Sequence, residues 1–77
     1  DLDIVMTPTE VTEFTRTILK DWIPVFEECG LDFNIDFPSS ACEIMIDENA
    51  YTRIINNLIR IIIICNYFFM SYLNRYI

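Results

Sequence analysis

Histidine is absent from this 77-residue chain, and glycine occurs only once, at Gly30. Without histidine, the chain lacks the catalytic pairs that this residue forms with serine or cysteine, and it lacks the commonest metal ligand. Cys29, Cys42 and Cys65 are odd in number and follow no metal-ligand spacing. We therefore predict three buried or half-buried, reduced thiols of a cytoplasmic protein, with no catalytic residue, no metal site and no cofactor for this chain.

Acidic residues are absent after Glu48, which divides the charge unevenly. The twelve acidic residues lie between Asp1 and Glu48 together with two basic ones, so this part carries −10, whereas three arginines give the remainder +3. An acidic surface repels phosphate groups, so we expect no nucleic-acid partner. The N-terminal residues also lack the basic stretch that opens a secretory signal peptide.

Length and apolar content predict a single small domain of marginal stability. The chain has 77 residues, and domains of this size bury only about 60% of their unfolded surface. Its apolar content of 53% argues against disorder. Small domains of this kind are usually stabilised by cross-links or by oligomerisation.

The first ten residues predict a strand and the start of a helix. Leu2–Met6 is partly β-branched and ends close to a proline, as a short strand does. Thr7 can cap the following helix, with Pro8 in the first helical position and Glu10 returning the capping hydrogen bond.

The helix is predicted to run to Cys29 with one interruption. Its apolar residues recur every three or four positions, and charged residues occupy the opposite side. Pro24 lacks an N–H group and crowds the preceding turn, which predicts a kink at Asp21–Pro24. Gly30 suits the left-handed position that ends many helices.

Two strands are predicted next. Leu31–Phe37 alternates apolar and polar residues, which is the pattern of a half-buried strand. Pro38-Ser39-Ser40 reads as a turn. Because that connection is short, we expect the second strand, Ala41–Ile46, to pair antiparallel with the first.

The segment Asp47–Ile62 predicts an amphipathic helix. Asp47 is a favourable N-cap, because its carboxylate can accept a hydrogen bond from the first turn. The expected apolar face comprises Tyr51, Ile54, Ile55, Leu58, Ile59 and Ile62. Asn56 and Asn57 disfavour a helix interior, which suggests that another requirement selected them.

The pattern D-x-x-x-Y-x-R-I-I-x-N-L-I, which begins at Asp47, resembles the start of the N box of sensor histidine kinases. That helix binds ATP in the wider GHKL, or Bergerat-fold, family. The run V-F-E-E-C-G-L before the predicted strand at Leu31 is also similar to the family. The resemblance covers residues 1–58, roughly three quarters of the chain.

This resemblance implies a fold and a set of site residues. The fold is α+β: a partial two-layer sandwich of strand, helix, strand, strand and helix, in which a mixed or antiparallel sheet carries helices on one face. Asn57 would face the nucleotide, and Asp47, Arg53 and Leu58 would be a cap, a surface or phosphate-side cation, and a core residue. Ile61 stands where the family places the asparagine that ligates Mg²⁺, and an isoleucine offers no oxygen.

The resemblance also implies what an intact relative does. It would bind Mg-ATP, transfer the γ-phosphate to a histidine, and pair with a response regulator, while the parent is attached to the membrane and this domain lies in the cytoplasm. The glycine-rich motifs that approach ATP in the family need residues that this chain lacks after Gly30. We therefore expect residues 1–60 to form an inactive partial ATP-binding domain.

Residues 61–77 form an apolar helical tail without a family counterpart. Ile61–Leu73 is uncharged. This run would span about 20 Å as a helix, against a hydrocarbon core of about 30 Å. Three interpretations stay open: a membrane anchor, a core helix that packs on the sheet or on a second chain, and an off-frame tail after a frameshift near Arg60. The alternatives to a kinase remnant are accordingly a non-enzymatic homodimer, assembled through this helix, and a small membrane-anchored protein.

Overall fold

The computed structural model describes residues 3–76 and shows a small α+β fold of two strands and three helices in that range. The class predicted from the sequence is confirmed. In chain order the elements are β1 (Thr7–Glu10), α1 (Val11–Lys20), α2 (Ile23–Glu28), β2 (Glu43–Ile46) and α3 (Glu48–Tyr76).

The two strands form one antiparallel ladder in which Thr7 lies opposite Ile46 and Glu10 opposite Glu43. The predicted strand Leu2–Met6 is wrong: Leu2 lies outside the described residues, and residues 3–6 have no regular secondary structure. The first strand instead follows it, at Thr7–Glu10. Pro8 is compatible with a strand here because both strands of a two-stranded sheet are edges, where a missing N–H is tolerated.

Helix α1 begins three residues later than predicted, because Glu10 and not Thr7 is its N-cap. The Glu10 Oε2 atom accepts the backbone N–H of Glu13 at 2.6 Å, and Oε1 accepts the N–H of Cys42 at 2.8 Å. One carboxylate therefore caps α1 and also extends the contact with the segment leading into β2.

The kink predicted at Asp21–Pro24 is a complete break, which separates two helices. α1 ends at Lys20, a turn occupies Asp21 and Trp22, and Pro24 lies in the first turn of α2. Gly30 then adopts the predicted left-handed conformation, with φ +72°. Its N–H donates to Glu27 C=O and the N–H of Leu31 to Phe26 C=O, the hydrogen-bond pair of a Schellman cap.

The predicted strand Leu31–Phe37 is not formed, and β2 pairs with β1 instead of with this segment. A strand exists only where a neighbouring strand exchanges backbone hydrogen bonds with it, and no strand of the described residues pairs with this segment. Within the segment, Phe33 stacks on Phe26 with 4.3 Å between ring centroids, and the Arg16 guanidinium lies 4.7 Å from the centre of the Phe37 ring. Side-chain contacts, and not the hydrogen bonds of a strand ladder, therefore connect this segment to α1 and α2.

Helix α3 is continuous, so the predicted helix at Asp47–Ile62 and the apolar tail are one element as far as Tyr76. Most of its expected apolar face is not buried. Ile59 is 4% exposed, whereas Ile54 is 58% and Leu58 52% exposed. The prediction that Leu58 is a core residue is therefore wrong. Among the described residues, Phe26 and Ile59 are the buried hydrophobic side chains.

Candidate functional site

The N-box-like segment starts at Asp47, which is the cap that the sequence predicts. Its Oδ1 atom accepts the N–H of Ala50 at 3.0 Å, and its carbonyl oxygen accepts the N–H of Tyr51 at 2.9 Å. Its Oδ2 atom also accepts the N–H of Val5 at 3.2 Å, from 42 residues earlier in the chain. Asp47 thus caps α3 and also forms a hydrogen bond with the segment before β1.

These hydrogen bonds determine the protonation of Asp47. The bonds from Ala50 and then from Val5 lower the pKa of its carboxyl below the ordinary aspartate value. The pKa of Glu10 is lowered in the same way, chiefly by the bond from Cys42 and then by the one from Glu13. Both carboxylates are therefore occupied by backbone donors and serve the fold.

The two adjacent asparagines have different surroundings. Asn56 Oδ1 accepts the indole N–H of Trp22 at 2.8 Å, which joins α3 to the turn between α1 and α2. Asn57, the residue that would face a nucleotide, is exposed. Asn56, which lies at an unspecified position of the motif, is therefore structural, and no local pattern indicates this because its partner lies 34 residues away.

The other residues of the resemblance do not converge on a pocket. Arg53 is exposed on α3, as are Leu58 and Ile61, the latter at 55%. Ile61 thus presents an aliphatic surface to solvent one turn after Asn57. An exposed amide with an aliphatic neighbour offers at most one ligand to a divalent cation, which requires several oxygen atoms.

Two further polar contacts link α3 to the rest of the molecule. The buried Thr9 hydroxyl donates to Glu48 Oε2 at 2.7 Å, and the hydroxyls of Thr15 and Tyr51 lie 2.6 Å apart. With the Trp22–Asn56 bond, they place polar side chains along the side of α3 that packs against β1 and α1. The sequence pattern places Tyr51 on an apolar face and does not indicate a role for Thr9 or Thr15.

A groove of about 280 Å³ lies between α1 and α3. It is open to solvent, and Asp21 is the ionisable residue among those that line it. Its lining residues are Phe14, Thr17, Ile18, Asp21, Trp22, Thr52 and Asn56. Within residues 3–76, no three histidine, cysteine or acidic residues cluster as metal ligands would. The groove therefore shows neither a pair of catalytic groups nor a phosphate-binding cradle.

Helix α3 is long and apolar enough, by length and composition, to cross a membrane. Between Glu48 and Arg75 it has a window with a mean hydropathy of 1.6, and only 6% of that window is buried. The predicted burial of the three thiols is wrong, because Cys29, Cys42 and Cys65 are free and exposed.

Comparison with known proteins identifies no relative. No family model, curated protein or solved structure matches this chain.

Proposed function

We propose that this chain is the first part of an ATP-binding domain of the sensor histidine kinase type, diverged at Arg60 and without nucleotide-binding activity. The observation that carries the proposal is the position of the N-box-like segment. Asp47 caps a helix directly after a strand, and Asn57 lies on the exposed surface of that helix. The resemblance implies that the motif occupies such a helix.

The loss of nucleotide binding follows from residues after Asn57. Ile61 lies one turn further along α3 and is exposed, so a hydrocarbon side chain occupies the place of the expected Mg²⁺ ligand. From Glu48 to Tyr76 the chain is one helix, so the described residues after Asn57 contain no loop that could enclose phosphates. Backbone amides approach phosphates most closely where glycine is present, and the sequence contains no glycine after Gly30.

The state of Leu31–Phe37 is also consistent with a partial domain. Its alternating pattern suits a strand, yet no strand pairs with it. The resemblance covers only the first half of the family's domain, and the described residues after β2 other than Asp47 are helical. A segment patterned as a strand with no neighbour is expected when the rest of a sheet is missing.

Calorimetric titration with Mg-ATP tests the absence of binding. We expect no saturable heat for the wild-type chain and none for Asn57→Ala, because a single amide cannot hold a metal–nucleotide complex. Micromolar binding that is abolished by Asn57→Ala would overturn the proposal. Far-ultraviolet circular dichroism of both samples controls for folding.

The kinship itself is tested on the DNA of the parent gene. If the tail arose from a frameshift near Arg60, another reading frame should restore N-A after Leu58 and then D-x-G-x-G downstream. Absence of both motifs from the other two frames would remove the frameshift and weaken the relationship. If a corrected DNA sequence places both motifs in the reading frame of this chain, the relationship to the kinases is supported.

A further inference from the structure

The exposed surface of this chain is larger than that of a typical monomer of its mass. The chain exposes 6373 Å², about 1,400 Å² more than the roughly 4,900 Å² typical of a monomer with this mass. Its radius of gyration is 15.8 Å, against about 11–12 Å for a compact domain of this length. A standard protein interface removes about 800 Å² from each partner, so the excess is sufficient for one.

Much of this surface lies on one face of α3. Ile54, Leu58, Ile61, Cys65 and Phe68 follow one another at steps of four, three, four and three residues and are all exposed. We call these five residues the open stripe. On an α-helix this spacing aligns side chains in a narrow seam, which is the pattern by which two helices pack together.

Up to Arg60, the remaining faces of α3 are packed against the rest of the chain or are polar. Glu48, Tyr51 and Asn56 lie on the side that contacts β1, α1 and the turn after α1. Arg53 and Arg60 lie on the exposed side away from the open stripe. Up to Arg60 the helix therefore has one packed face, one polar face and one uncovered apolar face. After Ile61 apolar side chains are exposed off the stripe as well, as at Ile64 and Tyr67.

We propose that the open stripe is the interface of a homodimer in which two copies of α3 pack antiparallel. This inference rests on surface area and spacing and does not depend on the kinship proposed above. Glu48 lies in the first turn of α3 and Arg75 in its last turn. An antiparallel pair places each Arg75 near the acidic end of the partner helix and opposes the helix dipoles, whereas a parallel pair juxtaposes like charges.

A second copy fits the stripe better than a lipid bilayer does. A spanning α3 would carry Arg60 and the neighbouring polar face into lipid, where charged groups are costly. The uncharged run Ile61–Leu73 covers about 20 Å of a hydrocarbon core of about 30 Å. The acidic first part of the chain is also repelled by anionic headgroups.

Light scattering coupled to size exclusion, without detergent, measures the assembly. We expect wild-type protein at micromolar concentration to have twice the 9.2 kDa chain mass. Leu58→Lys should be monomeric, because it places two charges in the seam, while Tyr67→Lys should stay dimeric. Tyr67 is the matched control because it is an apolar residue of the same helix, 70% exposed and outside the stripe.

A cross-linking experiment leaves Leu58 unchanged, so its result does not depend on whether the Leu58→Lys variant folds. With Cys29 and Cys42 replaced by serine, Cys65 near the middle of α3 should link two chains through a short bismaleimide. A single cysteine at residue 54, in a background with Cys65→Ala, should not link, because antiparallel packing separates the two copies of that position.

Three results would overturn the proposal. One is a soluble wild-type monomer at micromolar concentration. Another is self-linking through residue 54, which would make the pair parallel. The third is solubility only in detergent together with flotation on vesicles of phosphatidylcholine and phosphatidylglycerol, which would assign the open stripe to lipid.

Discussion

At the scale of single residues, two carboxylates hold distant segments together. Asp47 accepts backbone N–H groups from Ala50 and Val5, and Glu10 accepts them from Glu13 and Cys42. A carboxylate that caps a helix satisfies donors that the helix itself leaves unpaired. In both cases the second oxygen reaches a segment that is remote in sequence, so one side chain contributes to local and to tertiary structure.

Asp47→Ala should lower the melting temperature by about 4–8 °C, as the loss of a helix cap does in small domains. The matched control is Asn49→Ala, which changes an exposed residue in the same turn. Thermal unfolding followed by circular dichroism measures both. An equal effect of the two substitutions would contradict the capping role.

The lowered pKa of Asp47 also predicts how this effect depends on pH. Because the folded-state pKa lies below the unfolded one, the contribution is fully present above about pH 4 and is lost as the pH falls through the folded-state value. The difference in melting temperature between wild type and Asp47→Asn should therefore shrink on acidification below pH 4. A constant difference down to pH 2 would refute this linkage.

The hydrogen bond between Trp22 and Asn56 gives a second prediction for single residues. Asn56→Ala should destabilise the fold by about 1 kcal/mol, since a partly buried hydrogen bond is lost. Asn57→Ala, at the neighbouring exposed position, should change stability by less than about 0.5 kcal/mol. Urea denaturation of both variants, with the single tryptophan as the fluorescent probe, distinguishes them. A larger loss of stability for Asn57→Ala than for Asn56→Ala would mean that Asn57, and not Asn56, makes the stabilising hydrogen bond.

At the scale of elements, local signals located the ends and the breaks of helices. Pro24 predicted the interruption between α1 and α2, Gly30 the left-handed cap, and Asp47 the start of α3. Each signal acts within a turn of its own residue, so sequence alone is sufficient. The start of α1 differs from the prediction because Thr7, the favoured type of cap, lies in the strand that pairs with β2, so the helix begins only after Glu10.

The face of α3 that enters the core is an element-scale property that can be tested. Ile59→Ala should cost about 2–4 kcal/mol, because Ile59 is 4% exposed and its truncation leaves a cavity. Ile64→Ala removes the same atoms from a position that is 52% exposed and should cost far less. Chemical denaturation gives both values. Similar losses of stability for the two variants would show that α3 does not bury the face that carries Ile59.

At the scale of the whole molecule, the chain combines a high apolar content with little burial. Apolar residues make up 53% of the sequence, yet Phe26 and Ile59 are the buried hydrophobic side chains of the described part. The molecule extends 49 × 35 × 16 Å and is therefore thin in one direction. Association with a second copy is the arrangement that would give it a larger core.

If folding and dimerisation are coupled, stability depends on concentration. The melting temperature of the wild type should rise as its concentration is raised over about a hundredfold range, because mass action favours the associated state. The Leu58→Lys variant should show no such dependence. A wild-type melting temperature that is independent of concentration would show that folding is not coupled to dimerisation.

The sequence by itself determined the cap at Asp47, a distortion at Pro24, the left-handed turn at Gly30 and the mixed α+β composition, because these depend on residues within a few positions of each other. Only the tertiary structure decided that β2 pairs with β1 and not with Leu31–Phe37, and that Ile59 is buried while Leu58 is exposed. Both outcomes are competitions between segments far apart in the chain. They are decided by contacts such as those of Thr9 with Glu48 and Trp22 with Asn56, which no local pattern contains.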